Sequence, residues 1–266
     1  MRRKIGIDAG GSLIKVVYEE KGVFHFKAVP VHEMESLAEW ITIIAPDAQV
    51  MATGGKASQF AKVSNLKTTF VDEFEAVTKG SKFLLQEQNF KQENPFILVN
   101  IGTGTSIFYV TEGSFERVYG SGIGGGTLIG LGSIITGTSI FSELMNYAKQ
   151  GNREKSDLLV KDIYASEEAP LLGDLTAANF GKAHFEEATA SDHMASLIQM
   201  IGETILTLAL QIATMKNIKD IVFAGGTVAE NEVLKNVFSQ FTTIFPYNPI
   251  FLDKGTYPGA IGAYLS

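Results

Sequence analysis

Apolar positions near the N-terminus come in short bursts rather than at helical spacing. "KIGIDA", "LIKVVY" and "VFHFKAV" are rich in Ile, Val and Phe, and glycine-bearing breaks separate them. This pattern predicts strands over 4–9, 12–19 and 23–29. The rhythm then changes. "MESLAEWITIIA" places Leu37, Trp40, Ile41 and Ile44 on one side of a helix over 34–45. "AQVMAT" reads as a strand ending at Gly54-Gly55, and "TTFVDEF" as a short strand entering a helix near Glu75. That helix runs into a polar stretch before Pro95, the best break in the chain. Beyond it, "PFILVNIGTGTSIFYV" predicts strand, glycine turn, strand, and "SFERVYGSGIGGGTLIGLGSII" predicts strand, glycine loop, helix. A polar middle (150–195) carries helix and loop. "MASLIQMIGETILTLALQIATM" is a long helix, "DIVFAGGTVAE" a strand into a glycine turn, and "GAIGAYL" a closing helix. Strands and helices mixed in this way define an α/β protein, divided into 1–94 and 95–266.

The pattern contains an internal echo. "GIDAGGSLIKVV" aligns with "LVNIGTGTSIFY": an apolar strand ends at Asp8 or Asn100, a glycine comes two residues later (Gly10, Gly102), and a second apolar strand resumes. A lone hairpin of this kind needs only turn chemistry, with glycine supplying positive φ and Asp8 a turn former. Two such hairpins and a third glycine turn, Gly225-Gly226-Thr227, suggest two similar halves that offer glycine turns to a shared cleft. Such turns let backbone N–H groups approach phosphates, with Ser12 adding a hydroxyl and Asp8 a carboxylate toward a metal ion.

Composition narrows the choice of partner. The chain has 266 residues, 45% hydrophobic and 19% charged, enough for one large domain or two modest ones. A net charge of −7 argues against nucleic acid or an anionic membrane as the main partner. With no cysteine, disulfides, thiol catalysis and Cys-based zinc sites are excluded. The four histidines show no metal-binding spacing. Met1-Arg2-Arg3-Lys4 is basic, but Asp8 interrupts the residues after it and no apolar signal core appears. The apolar stretch around "ILTLALQIATM" comes after Glu203 and contains Gln211, so it reads as a buried helix and the protein as cytoplasmic.

Other nucleotide motifs fare less well. "ATGGKAS" fails as a P-loop, because Ala57 comes after Lys56 and Val50 stands where glycine is needed. Gly120, Gly122 and Gly125 match GxGxxG, but they do not lead into a βαβ unit. "GIGGGTLIG" places exposed N–H groups at a helix start, an anion site. "VDEFEA" holds three carboxylates. In a helix Asp72 and Glu75 share a face, and in a strand Glu73 and Glu75 do, so spacing selects none of them as a base.

"DAGGSLIK", "NIGTGTS", "GGGTLIGLG", "GDLTAANFG" and the final "GAIGA", in this order, resemble the type II pantothenate kinases of Gram-positive bacteria, members of the acetate and sugar kinase, Hsp70 and actin superfamily. The resemblance spans nearly the whole chain. It implies two RNase H-like lobes (1–94 and 95–266) around a nucleotide cleft, with ATP and Mg²⁺ as cofactors, a homodimer, and pantothenate as the substrate phosphorylated in the first step of coenzyme A synthesis. By this resemblance Asp8, Ala9, Gly10, Gly11, Ser12, Leu13, Ile14 and Lys15 form the first phosphate loop, with Asp8 toward the metal, and Thr103 belongs to the second. Gly125, Gly126, Thr127, Leu128 and Ile129 line the nucleotide, and Gly225 and Gly226 border the adenosine. Glu73 is the implied general base. Arg117, Asp174, Thr176 and Ala177 are the implied substrate residues, with an aromatic from the partner subunit expected near Phe241.

Two rival functions stand beside this one. An amino-sugar kinase of the same superfamily is the nearer, although the Cys-rich zinc motif of one large sugar-kinase group is absent here. A non-enzymatic nucleotide switch is the other, disfavoured by the short chain and by "GDLTAANFG". The apolar helix near 195–215 and the closing "GAIGAYL" helix carry more hydrophobic face than one lobe needs, which points to a dimer.

Overall fold

The structure is a computed structural model that describes residues 3–90, 94–164, 172–184 and 187–266. Met1-Arg2 and part of the polar stretch before Pro95 lie outside the described residues. The first half holds β1 (Lys4–Ala9), β2 (Leu13–Glu20), β3 (Val23–Pro30), α1 (Met34–Ile44), β4 (Gln49–Thr53), α2 (Ala57–Ser64), β5 (Lys67–Phe70) and α3 (Glu73–Glu87). The second begins with β6 (Phe96–Ile101), β7 (Thr105–Val110), β8 (Phe115–Ser121), α4 (Gly125–Thr136) and α5 (Phe141–Gln150). The segment β9 (Leu158–Leu159), α6 (Val160–Tyr164) and β10 (Thr176–Ala178) leads to α7 (Ala190–Lys216). The chain closes with β11 (Asp220–Ala224), α8 (Gly226–Ala229), α9 (Glu232–Gln240), β12 (Asn248–Phe251) and α10 (Pro258–Leu265).

The echo in the sequence is an echo in topology. One five-stranded sheet runs β3-β2-β1-β4-β5 and the other β8-β7-β6-β11-β12. In each, an antiparallel hairpin opens the unit and a parallel strand joins the other side of its first strand. Asp8 pairs with Lys15 across the first hairpin and Thr53 on the parallel side. Asn100 pairs with Ser106 and Ala224 at the same two places. The segment "ATGGKAS", which fails as a P-loop, is therefore the counterpart of "FAGGTVA". Gly54 and Gly225 each come after the parallel strand with positive φ, 91° and 102°. A Cβ on Gly54 would lie 2.6 Å from the Ala9 carbonyl oxygen, and one on Gly225 2.2 Å from that of Ile101. Left-handed backbone and close approach both demand glycine there.

The central strands are buried on both faces, as parallel strands between helices must be: in the first sheet Ile5, Ile7, Val50 and Ala52 on one face and Met51 on the other, in the second Ile97, Val99, Ile221 and Phe223 on one face and Leu98 and Val222 on the other. Between the sheets lies a shared layer made by α3 and α10. Val77, Leu84, Leu85, Ala260 and Ile261 join Val17 of the first sheet to Leu98, Phe108 and Val222 of the second in one apolar cluster.

Several elements have no counterpart in the sequence pattern, among them β9, β10 and β12 and the helices α2, α5 and α9. Their apolar faces are narrow. Phe60 and Ala57 carry α2, and Leu234, Val237 and Phe238 carry α9, behind an Asn231 N-cap that accepts from Leu234 N–H. The long helix α7 starts at Ala190, earlier than its apolar run suggests. Thr189 and Asp192 close a reciprocal capping box there. By length and composition α7 is apolar enough to cross a membrane, yet Leu197, Ile201, Ile205 and Ala209 are buried in the second half's core. The sequence-based ground for a dimer changes accordingly. Both α7 and α10 spend their apolar faces inside the chain. Exposed apolar residues occur at several places on the surface, among them Leu131, Ile134 and Ile140 of the α4–α5 region.

Candidate active site

The site forms where the glycine turns meet. A Cβ on Gly11, in the β1–β2 turn, would stand 3.5 Å from Thr103 Oγ1 in the β6–β7 turn, so the two hairpins face each other at contact distance. The third turn docks on the second, with Thr227 Oγ1 donating to the Gly102 carbonyl at 2.9 Å. The loop before α4 seals the group: Gly125 N–H donates to the Gly102 carbonyl and Gly126 N–H to that of Thr103, both at 2.8 Å. This corrects the reading of "GIGGGTLIG" as a row of exposed donors. Two of those N–H groups are already used, and the glycines serve close backbone contact. A Cβ on Gly124 would meet Gly104 at 2.8 Å, and one on Gly126 the Thr103 side chain at 3.0 Å. Leu128 beyond them is core, while Thr127 holds the loop through the Gly122 carbonyl, 2.9 Å away.

At the end of β1, Lys15 Nζ donates to Asp8 Oδ2 at 3.3 Å, with both side chains largely shielded. Backbone crowds Asp8 from two more sides. A Cβ on Gly54 would lie 2.7 Å from Asp8 Oδ1, and one on Gly259, at the start of α10, 2.8 Å from Oδ2.

The three acids of "VDEFEA" stand in different settings. The helix begins at Glu73, two residues before the expected place, because Asp72 is its N-cap. One Asp72 oxygen accepts from Phe74 N–H at 3.0 Å and from Glu75 N–H at 2.9 Å. Capping of this kind is worth about 1 kcal/mol and occupies the carboxylate. Glu73 is left at the first helical position, within electrostatic reach of Asp8 and Lys15. Its pKa is raised above the ordinary 4.5. Crowding by protein that displaces bulk water is the largest cause, the Asp8 carboxylate the next, with Lys15 opposing and Asp72 adding. The side chain is nonetheless open to solvent, as a base that must reach a substrate has to be.

Next to Glu73, Phe74 packs on Phe108, and the Arg117 guanidinium lies 5.1 Å above the Phe74 ring. Arg117 Nε also donates to Ser106 Oγ at 3.3 Å. Glu73, Asp8 and Lys15 therefore come together at the turns, and Arg117 is tied to the neighbouring Phe74 and Ser106. Asp174, Thr176 and Ala177 lie elsewhere, on and beside β10. Asp174 lines an open cleft of about 930 Å³ that also holds Phe241. Among the described residues no hydrogen bond or ring contact joins that cleft to Glu73 or Arg117. The residues that shape the site but escaped the sequence reading are Gly54, Phe74 and Gly259. The alignment of "ATGGKAS" with "FAGGTVA" was the available signal for the first.

The chain path matches solved structures of one class. Component A of (R)-2-hydroxyglutaryl-CoA dehydratase from Acidaminococcus fermentans superposes with a TM-score of 0.63 at 15% identity, covering 100% of this chain and 97% of the other. A ROK family glucokinase from Streptomyces griseus, in complex with glucose and AMPPNP, gives 0.56 at 12% identity over 98% of each. The chain shares the fold of these structures, with mixed sheets and helices.

Sequence relatives narrow the class. The Fumble family profile matches residues 19–266. A type II pantothenate kinase of Oceanobacillus iheyensis is 43% identical over 265 residues, 99% of both chains. One of Bacillus cereus is 39% identical over 100% of this chain and 98% of the other, and one of Staphylococcus saprophyticus 37% identical over 98% of each. The chain belongs to the type II pantothenate kinase family.

Proposed function

We propose that this protein transfers the γ-phosphoryl group of ATP to the primary hydroxyl of pantothenate, the first step of coenzyme A synthesis, with Glu73 as general base. One observation carries the assignment of the base. Of the three acids in "VDEFEA", Asp72 is committed to capping α3, and Glu73 is the one held against the Asp8–Lys15 pair with a raised pKa. Family membership carries the choice of substrate.

The two sheets of matching strand order support a reading as two RNase H-like lobes, 1–94 and 95–266, with the nucleotide cleft at the meeting of their glycine turns. Residues 8–15 and Thr103 cradle the phosphates there. Gly125 to Thr127, Ile129 and Gly225-Gly226 lie along the rest of the nucleotide, with Leu128 turned into the core. The cradle fits an anion chain because its backbone comes close without side chains: a Cβ at Gly10 would stand 3.1 Å from the Leu13 carbonyl oxygen and 3.3 Å from Lys15 Nζ. Among the described residues no group of three or more His, Cys, Asp or Glu is placed to hold a metal ion. A single carboxylate, Asp8, fits the way Mg²⁺ is held in kinases, by one or two carboxylates together with substrate phosphates. When bound, Mg²⁺ neutralises charge on the phosphates.

The chain's own groups do the rest. Glu73 takes the proton from the attacking hydroxyl as the new phosphorus–oxygen bond forms. Lys15 is positioned by Asp8, and Arg117, levelled on Phe74, holds substrate or meets developing charge. Asp174, Thr176 and Ala177 complete the pantothenate site. Their separation from Glu73 within one chain fits a homodimer in which a partner supplies them together with an aromatic at position 241. Nothing in this chemistry requires a membrane or nucleic acid, and a cytoplasmic enzyme is the corresponding reading.

ADP release with Mg²⁺-ATP and either pantothenate or amino sugars is the direct test. Turnover with pantothenate and none with glucosamine derivatives is expected. Turnover with an amino sugar alone would overturn the substrate.

A further inference from the structure

The segment that carries the proposed substrate residues Asp174, Thr176 and Ala177 is short, and its β10 strand pairs only with the two-residue β9. So small a ladder does not hold a binding surface in place by itself. A polar clamp outside the catalytic machinery holds it. Glu203, on the middle of α7, accepts three hydrogen bonds: from Thr176 Oγ1 at 2.7 Å, from Asn179 Nδ2 at 3.2 Å and from Gln199 Nε2 at 2.8 Å. The first two come from the segment, and the third, from one turn back on α7, sets the rotamer of the acid. Arg153 grips the same segment from the other side. Its Nη1 donates to Thr176 Oγ1 at 3.2 Å and its Nη2 to the Asp174 carbonyl at 2.8 Å. Arg153 is itself fixed by the fully buried Asp157, whose carboxylate also accepts from Phe180 N–H and from the Ser196 hydroxyl.

We propose that Glu203 is a positioning residue for pantothenate binding: with Arg153 it fixes Thr176 and the backbone of Asp174, and so presents Ala177 and its neighbours to the substrate. This rests on the reading of Asp174, Thr176 and Ala177 as substrate residues. The geometry suits such a role. Thr176 has its hydroxyl directed to Glu203 while Ala177 beside it is exposed, so one residue anchors and the next presents. The anchor also lies on α7, whose buried side is part of the core of the second half. A charged acceptor of three hydrogen bonds makes the anchor strong, and truncating it leaves Thr176, Asn179 and Gln199 without their partner.

Steady-state kinetics of the full-length enzyme on three variants tests this. Glu203→Ala is expected to raise the pantothenate KM roughly 10-fold, with kcat and the ATP KM within about twofold of wild type. Glu203→Gln should restore the pantothenate KM to within about twofold, because an Asn179 amide flip lets the new amide keep the same three contacts. Ala177→Leu probes the underlying reading without touching the clamp, and it too should raise the pantothenate KM selectively. If Ala177→Leu does so and Glu203→Ala does not, the positioning role is wrong and the substrate segment stands. If neither variant moves the pantothenate KM, the segment does not meet substrate and both ideas fall. A Glu203→Ala protein whose melting temperature falls and whose two KM values rise together would show a merely structural role.

Discussion

At Glu73 two effects compete. The N-terminus of α3 favours an ionised carboxylate, as helix dipoles do, while crowding and the Asp8 charge favour the protonated form. The second pair wins, and the pKa rises above 4.5. The sign of this shift matters twice. The proposed base must be ionised to act, so kcat/KM should climb with pH through a limb displaced upward from the ordinary value of 4.5. For stability, the folded state binds the Glu73 proton more tightly than the unfolded one, so ionising this group as pH rises through its raised pKa costs stability. Glu73→Gln should therefore lower kcat by roughly 10²–10⁴-fold with ATP binding little changed. It should also melt slightly above wild type at neutral pH, an advantage that vanishes below pH 4.5. Asp72→Asn still caps the helix and should cost little activity, and so should Glu75→Gln. An inactive Glu75→Gln beside an active Glu73→Gln would place the base two residues further on.

At the scale of elements, the crossing of α3 and α10 joins the elements that carry the proposed base, Glu73, and flank the proposed metal-facing carboxylate, Asp8. Glu73 begins α3, and Gly259, at the start of α10, lies against Asp8. The crossing is glycine-made. A Cβ on Gly80 would stand 1.9 Å from the Pro258 carbonyl oxygen, and one on Gly262 1.7 Å from that of Ala76. Neither helix backbone can yield locally, so a single methyl must push the two apart. Gly262→Ala is expected to destabilise by about 3 kcal/mol, read as a lower melting temperature. In the folded fraction kcat should fall more than ATP affinity, because Glu73 moves relative to Asp8 while the glycine turns stay. Equal losses in both would mean that the crossing supports the fold without tuning the site.

For the whole molecule, the exposed apolar surface bears on assembly. Ile134 is 80% exposed and Ile140 56% on the chain alone, and Leu131, one turn before Ile134 on α4, is exposed too, so the α4–α5 region offers apolar surface on a chain of net charge −7. Sedimentation at micromolar concentration is expected to show a dimer, and Ile134→Glu to shift it toward monomer with loss of activity. A wild-type monomer would remove the dimer reading, and a dimeric, fully active Ile134→Glu protein would move the interface to another face.

Much of this was legible along the chain. The two hairpins, the α/β class and the third glycine turn come from short-range pattern, because apolar alternation and glycine placement are local properties. The family was legible in ordered motifs for the same reason. Other features were not. α2 and α9 have apolar faces too narrow to stand out, and their burial depends on the sheets they cover. The glycines before α4 looked like free donors until Gly102 and Thr103, over twenty residues earlier, were brought against them. Choosing Glu73 from its neighbours needed Asp72 as a cap and Asp8 and Lys15 alongside. Local pattern thus specified which strands and turns exist and which chemistry they offer. That Asp72 is spent on the backbone while Glu73 stands beside Asp8 and Lys15 was visible only in three dimensions, because it depends on charges and packing contributed by residues far apart in the chain.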